Sequence, residues 1–199
     1  LGGVTMLSWP TTAYLASSIV AASCAGVLAN AAGARIVYCA GVTTFGLGAL
    51  LCSLATSMGW IVVGRLIQGF GGGLEAAVAY VLVRGTFPEP VWSRTIALLS
   101  TSWSVSVMVG PLVGGMFARF GSWRAAFVAT ALAAAGLSIG ALFILPGATD
   151  GIQSSRVPAA RVALICMAIA GMCLASIVPS SLSKVGLVVA AIVSLAAML

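Results

Sequence analysis

Histidine is absent from this 199-residue chain, and charge is scarce: there are 9 Lys and Arg and only 3 Asp and Glu. Without histidine, the chain has no imidazole to act as a general base or as a nitrogen ligand for zinc or haem. The five cysteines lie in apolar segments without C-x-x-C spacing, so we interpret them as packing residues. We therefore expect no catalytic residues, no metal site and no cofactor, and we do not predict an enzyme.

The low charge also argues against a soluble fold, because soluble domains carry roughly 25% charged residues. Here the charged fraction is 6% and the hydrophobic fraction is 61%. The predicted fold class is all-α, a polytopic bundle of transmembrane helices. The basic excess then relates to membrane topology, and no basic run interleaved with aromatic residues indicates nucleic-acid binding.

The N-terminus starts at Leu1 without a basic region or a cleavage site, so no signal peptide is predicted. The C-terminus lies inside an apolar run that ends at Leu199. We expect the sequence to be a piece of a longer protein.

Six apolar stretches are long enough to cross a bilayer, which takes about 20 residues, and part of a seventh follows. The predicted spans are 9–29, 36–56, 60–83, 95–118, 123–145, 161–179 and 185 to the end. Alternate connections contain five basic residues, and the opposite connections contain three. By the positive-inside rule, the first set, which includes Arg35, is predicted to face the cytoplasm.

The third predicted span carries the largest polar load. Arg65, Gln68, Gly72 and Glu75 are spaced by three, four and three residues, which places them on one helical stripe. Ionisable groups at membrane depth are costly and indicate function by default. Arg65 and Glu75 would lie about 15 Å apart along the axis, so each needs its own partner. Because an apolar medium penalises the charged form of a carboxyl, Glu75 is a candidate proton carrier.

Two structural alternatives apply to this stripe. Arg65 lies about five residues from the predicted outer end of its span, so its side chain can extend to the interface without any functional role. Glu75 can be a protonated, hydrogen-bonded packing residue.

Two glycine-rich stretches predict close helix contacts. Residues 69–73 lack the preceding strand that a phosphate-binding loop requires, so we interpret them as small-residue packing. Gly110, Pro111, Gly114 and Gly115 lie inside the fourth span, where the proline removes a helix hydrogen bond. We predict a kinked helix at a tight interface there. Glycine packing without mobility is the alternative.

Four stretches, in order and spacing, resemble motifs of the major facilitator superfamily, in its drug–proton antiporter branch with 14 spans. They are TAYL at 12–15, GRLIQG at 64–69, GPLVGG at 110–115 and SWRAAF at 122–127. In that family the arginine of the fourth helix is linked to proton coupling. We accordingly assign Arg65, Gln68 and Glu75 to proton coupling or substrate recognition, although an acidic residue is unusual at position 75.

The resemblance implies that the first helix and the C-terminal half of the transporter are missing. Residues 1–145 then form a partial N-terminal bundle containing helices 2–6 of the family. Residues 146–160 form a cytoplasmic linker. Residues 161–199 resemble the additional central helices of the 14-span branch and are truncated.

The loop between the second and third helices departs from the family pattern. Gly26, Gly33 and Arg35 stand at the family's positions, but Asn30 replaces an aspartate and the second basic residue is absent. Asn30 can form hydrogen bonds but supplies no charge to a helix end. We predict that these four residues form a cytoplasmic gate loop with a weakened lock.

The predicted function is proton-coupled export of an amphipathic small molecule or drug by alternating access, in a bacterial cytoplasmic membrane. The expected partners are the substrate, protons, the lipid bilayer and the missing C-terminal half. Two alternatives stay open. One is an uptake carrier, or an exporter dedicated to one metabolite such as a siderophore, with the same fold. The other is a truncated product that does not transport.

Overall fold

The computed structural model describes residues 8–120 and 123–145, which form five helices long and apolar enough to cross a membrane. They are α1 (Trp9–Ala32), α2 (Ala34–Ser53), α3 (Met58–Thr86), α4 (Trp92–Arg119) and α5 (Trp123–Ile144). One 3-10 turn, Glu89–Val91, precedes α4, and no strand occurs in the described ranges. The all-α fold class and the first five spans are therefore confirmed. Gly121 and Ser122, the linker at 146–160 and the helices predicted over 161–199 lie outside the described residues.

The connection between α3 and α4 is shorter than its charge pattern suggests. The sequence predicts a break from Arg84 to Arg94, whereas only residues 87–91 separate the two helices. The indole N–H of Trp92 donates to the Phe87 carbonyl at 2.7 Å, and the Arg84 guanidinium carbon lies 5.9 Å from the Trp92 ring centroid. These contacts join the last turn of α3 to the first residue of α4, and α3 itself extends to Thr86.

A single residue joins α1 to α2. Gly33 has a φ of 89°, a backbone conformation that residues with a Cβ adopt only at a cost. Its N–H donates to the Ala29 carbonyl at 2.9 Å, which closes the last turn of α1. The turn reverses the chain without any loop.

Glycines let α3 pack backbone to backbone against α2. Gly48 of α2 faces Gly64 of α3, and Gly41 of α2 faces Gly71 of α3. Within each helix the two glycines are seven residues apart. A Cβ added at Gly48 would lie 2.5 Å from the Gln68 backbone nitrogen and 2.8 Å from the Gly64 carbonyl oxygen. The two helices can be this close only because no side chain stands between them.

The other flank of α3 packs against α1 in the same manner. A Cβ at Gly69 would lie 2.5 Å from the Ser17 hydroxyl oxygen and would collide with the Tyr14 carbonyl oxygen. A Cβ at Gly73 would collide with the Ser18 carbonyl group. These contacts confirm the interpretation of residues 69–73 as small-residue packing, and they place α3 between α1 and α2.

Side chains complete the core on either side of α3. One buried cluster joins three alanines of α1 to residues of α2 and α3; it comprises Ala21, Ala25, Ala29, Ala34, Val37, Leu74, Val78 and Leu82. A second cluster, at the other end of α2, contains Cys52, Ala55 and Ile61, against which Trp123 and Phe127 of α5 pack. Many large hydrophobic residues on the outer faces remain exposed, as expected of helices that face lipid.

Three polar contacts join α2 to α5 along their length. The Arg124 guanidinium, in the first turn of α5, donates to the Ala55 carbonyl just beyond α2 at 2.8 Å. Near the middle, the Thr43 and Ser138 hydroxyls lie 2.9 Å apart. At the other end, Arg35, in the first turn of α2, donates to the Leu142 carbonyl in the last turn of α5.

By contrast, α4 buries no residue. Its hydroxyl groups turn back onto their own helix: those of Ser100, Thr101, Ser102, Ser104 and Ser106 all donate to carbonyls four residues earlier. A cleft of about 560 Å³ separates α4 from α5. Within the described ranges, α4 is therefore the most loosely held helix.

Candidate functional site

The polar stripe predicted on the third span lies on α3, and Arg65 is its most constrained member. The guanidinium carbon lies 5.2 Å from the Phe127 ring centroid of α5 and 5.9 Å from the Tyr14 ring centroid of α1. A guanidinium this close to two aromatic faces gains cation–π energy, which rises to about 2 kcal/mol when the pair is desolvated. Arg65 is thus held among three helices and does not extend freely to an interface.

Hydrogen bonding at Arg65 is incomplete. One terminal nitrogen donates to the Gln68 side-chain oxygen at 3.2 Å, one turn along α3. The Nε–H is buried and finds no acceptor among the described residues. Because nearly all buried donors in proteins are paired, this N–H is available to an acceptor from elsewhere in the protein or from a ligand.

Gln68 is the buried polar residue of the stripe, with 3% of its surface exposed. The tight approach of α2 at Gly48 fixes its backbone, and its side-chain oxygen orients the Arg65 guanidinium. The side-chain oxygen of Gln68 is therefore committed to Arg65.

Glu75 lies two turns further along α3 and is half-buried. Its backbone nitrogen would lie 3.0 Å from a Cβ at Gly41, so α2 holds this turn of α3 closely. Its carboxyl interacts electrostatically with the phenol groups of Tyr14 on α1 and Tyr38 on α2. A half-buried carboxyl at membrane depth is suited to accept and release a proton or to attract a cation.

Sequence reasoning missed Tyr14 and Phe127 as site residues. Both fall in stretches that carried the family resemblance, but nothing local distinguishes an aromatic residue that faces Arg65 from one that faces lipid. Their roles depend on α1 and α5 packing around α3, which hydropathy does not reveal.

The residues assigned to the gate loop do not cluster around one contact. Gly33 forms the α1–α2 turn, and Arg35 reaches α5 rather than the preceding loop. Asn30 is exposed in the last turn of α1, and a Cβ at Gly26 would have no neighbour within 4 Å. The structure thus gives Gly33 and Arg35 defined structural roles and leaves the gate itself a prediction.

The glycine–proline motif on α4 is not in tight contact with any described helix. A Cβ at Gly110, Gly114 or Gly115 would meet nothing within 4 Å, and α4 continues through Pro111 as one helix. Gly110 and Gly114 line the cleft towards α5. The tight interface that the sequence predicts here is not formed among residues 8–120 and 123–145. Close glycine contacts are found instead along α3.

The described residues hold no cluster suited to a metal. Across 8–120 and 123–145, no group of three or more Cys, Asp and Glu side chains comes together as a possible ion site. What chemistry the site offers rests on one guanidinium, one amide and one carboxyl arranged along α3 among aromatic rings.

Comparison with known proteins identifies transporters as relatives. The family model described as Major Facilitator Superfamily matches residues 1–157. A probable multidrug-efflux transporter of Mycobacterium tuberculosis is 40% identical over 162 residues, which cover 78% of this chain and 34% of the relative.

Two further relatives come from other bacteria. Multidrug transporter protein MdtP of Bacillus subtilis is 32% identical over 127 residues, 64% of this chain and 24% of its own length. Multidrug efflux pump SdrM of Staphylococcus aureus is 28% identical over 119 residues, 60% of this chain and 27% of its own length. The chain thus spans about one third of the length of these relatives or less.

Proposed function

This chain belongs to the Major Facilitator Superfamily, and from that premise we propose that the whole protein exports amphipathic small molecules in exchange for protons. Family membership makes the protein an integral membrane transporter and not an enzyme, as the sequence predicted. The bacterial relatives support a place in the cytoplasmic membrane. Proton coupling, substrate class and direction of transport are the proposal.

The observation that carries the proposal is the arrangement around Arg65. A half-buried cation with one buried, uncommitted N–H lies within 6 Å of two aromatic ring centroids, and a half-buried carboxyl stands ten residues away on the same stripe. Aromatic faces accept apolar and cationic parts of a substrate, and the two charged groups respond to a proton. Three relatives are named as multidrug transporters or efflux pumps, which supports amphipathic small molecules as the substrate class.

Alternating access needs rigid bodies that rock around a site near the midplane. Glycine contacts fix α1 and α2 to α3, and the α2–α5 contacts extend this unit to α5. This supports a mechanism in which α1, α2, α3 and α5 move together against the remainder of the protein. In that mechanism the α1–α2 turn belongs to the proposed cytoplasmic gate, on the side of the membrane that the positive-inside rule predicts for it.

Transport in inside-out membrane vesicles tests the proposal. We expect vesicles that contain the whole protein to accumulate a panel of fluorescent amphipathic cations, including ethidium, under an imposed pH gradient. An ionophore that removes the gradient stops accumulation. Arg65→Ala is expected to lower the initial rate at least about tenfold, since an intramembrane charge with defined partners is lost.

Arg119→Ala serves as the matched control, because Arg119 lies exposed at the end of α4. Its rate is expected to equal that of the wild type at equal protein level in the membrane. Accumulation that survives removal of the gradient contradicts proton coupling. Normal accumulation by Arg65→Ala removes Arg65 from the mechanism.

A further inference from the structure

We propose that Tyr14 is a positioning residue that links Glu75 to Arg65, so that the protonation state of Glu75 changes the environment of the Arg65 guanidinium. The two charged groups lie ten residues apart on α3, about 15 Å along its axis, and do not reach one another on that helix. The Tyr14 side chain of α1 lies beside α3 between their positions. The inference deepens the proposed proton coupling and rests on it.

The Tyr14 side chain lies along α3 between the two charged groups. Its ring faces Arg65, with 5.9 Å between the guanidinium carbon and the ring centroid. Its hydroxyl oxygen lies 3.0 Å from the position that a Cβ would take at Gly72, one turn before Glu75. The ring thus lies near the cation, while the hydroxyl lies beside Gly72, in the turn that precedes Glu75.

Glycine at position 72 makes room for this hydroxyl. A Cβ there would also lie 3.3 Å from the Phe45 ring, so Tyr14 of α1 and Phe45 of α2 meet over this residue. The stripe of α3 therefore has a gap between Gln68 and Glu75, and the hydroxyl of a neighbouring helix occupies it.

Backbone contacts hold Tyr14 in place. Its carbonyl oxygen lies against Gly69, where any Cβ would collide with it. The Ser17 hydroxyl, one turn later on α1, donates to the Leu66 carbonyl at 2.5 Å. Because α1 and α3 are held together at Tyr14 and one turn beyond it, the backbone position of Tyr14 relative to Arg65 is fixed.

The electrostatics agree with this placement. Tyr14 interacts with both Glu75 and Arg65, whereas Tyr38 of α2 interacts with Glu75 and with Cys39. The titratable groups that interact electrostatically with Glu75 thus include Tyr14 and Tyr38. Those that interact with Arg65 include Tyr14 and Cys52 of α2. Tyr14 is the phenol common to both sets.

Infrared spectroscopy of the carboxyl group provides a test that needs no substrate. The whole protein is purified, reconstituted in lipid bilayers and titrated with acid, and the Glu75 C=O band is identified by its loss in Glu75→Gln. We expect Tyr14→Phe, which keeps the ring on Arg65 and removes the hydroxyl, to move the titration midpoint by about half a pH unit or more. Tyr80→Phe is the control, because Tyr80 lies on α3, the helix of Glu75, and its side chain is exposed.

Coupling is measured by repeating the titration with Arg65→Gln. In the wild-type background this change is expected to move the Glu75 midpoint, and in the Tyr14→Phe background it is expected to move it much less. A Tyr38→Phe background is expected to retain the full effect of Arg65→Gln, which separates a link from a general loss of polarity near Glu75.

Two results overturn the inference: an unchanged midpoint in Tyr14→Phe, or an effect of Arg65→Gln that is equal in the presence and absence of the hydroxyl. Failure of the proposed function is seen separately, as vesicles of the wild type that transport no probe in response to a pH gradient. Native elution on size exclusion confirms that each variant is folded before it is titrated.

Discussion

At the scale of single residues, a missing side chain decides how closely the helices of this bundle approach. Gly64 and Gly71 admit the α2 backbone, and Gly69 and Gly73 admit that of α1. In a bilayer, where apolar side chains gain little from leaving lipid, such contacts are the main source of helix association. The polar stripe rests on them, since they hold Tyr14, Gln68 and Glu75 in position.

Gly71→Ala is predicted to destabilise the protein by about 1–3 kcal/mol, because the new methyl group would overlap the Phe45 nitrogen and the Gly41 carbonyl. The measurement is the thermal unfolding midpoint of the purified protein in detergent. Gly114→Ala is the matched control on α4, where a Cβ meets nothing within 4 Å. It is expected to leave the midpoint unchanged or slightly raised, since alanine favours a helix by about 1 kcal/mol over glycine.

Equal damage from both substitutions would contradict this expectation. It would place Gly114 at a tight interface with an element beyond the described ranges, as the glycine–proline motif predicts from sequence.

At the scale of the element, α2 and α5 stabilise each other's ends reciprocally. Each helix carries an arginine as its second residue. Arg35 donates to the Leu142 carbonyl in the last turn of α5, and Arg124 donates to the Ala55 carbonyl two residues beyond the end of α2. The last carbonyls of a helix lack partners and carry partial negative charge, so a cation there satisfies both needs. Arg35 and Arg124 thereby fix the register of the pair at both ends.

Arg35→Ala is predicted to open the last turn of α5 while leaving the first turn of α2 intact. The loss of a charge-assisted bond to the Leu142 carbonyl is expected to raise amide exchange over residues 140–145 about tenfold. Hydrogen exchange with mass spectrometry in lipid nanodiscs measures this. Arg94→Ala, at an exposed site on α4, is the control. Unchanged exchange in Arg35→Ala would mean that this bond contributes nothing to the helix end.

The sequence was sufficient to predict the elements because each depends on local composition. An apolar run of membrane length predicts a helix wherever it lies, and all five predicted spans up to residue 145 are helices. The spacing of Arg65, Gln68 and Glu75 likewise follows from one helix alone. Their placement on α3 required no knowledge of neighbours.

Contacts between elements were harder to predict. The partners of Arg65 come from α1 and α5, and the carbonyl that Arg35 reaches lies 107 residues away in the chain. Whether a glycine lies at an interface depends on which helix faces it, so similar patterns on α3 and α4 led to different surroundings. A single sequence shows the spacing of the glycines but does not show which helix packs against them.

At the scale of the whole molecule, the described helices divide into a close-packed group and a loosely held helix. α1, α2, α3 and α5 share glycine contacts, two buried clusters and the polar bonds between α2 and α5. α4 stands across a cleft of about 560 Å³. If the close-packed group moves as one body, fixing two of its helices together does not impair transport.

A disulfide between Thr43→Cys and Ser138→Cys tests this. The two hydroxyl oxygens lie 2.9 Å apart, so the replaced sulfurs can bond with little movement of the backbone. In a protein whose other cysteines are replaced, transport after oxidation is expected to stay within about twofold of the reduced rate, as for rigid-body rocking. Loss of transport on oxidation, restored by a reductant, would show that α2 and α5 move against each other during the cycle.

The one-residue turn at Gly33 has a mechanical consequence for any such cycle. Two helices of membrane-spanning length are joined by a connection that cannot lengthen, because one residue supplies only about 3.8 Å of chain. Neither helix can slide along its axis past the other at this corner, and the contacts of both helices with α3 hold the angle between them. A displacement of α1 along the membrane normal therefore carries α2 with it by the same distance, so this end of the two helices can change its depth in the bilayer only as a unit.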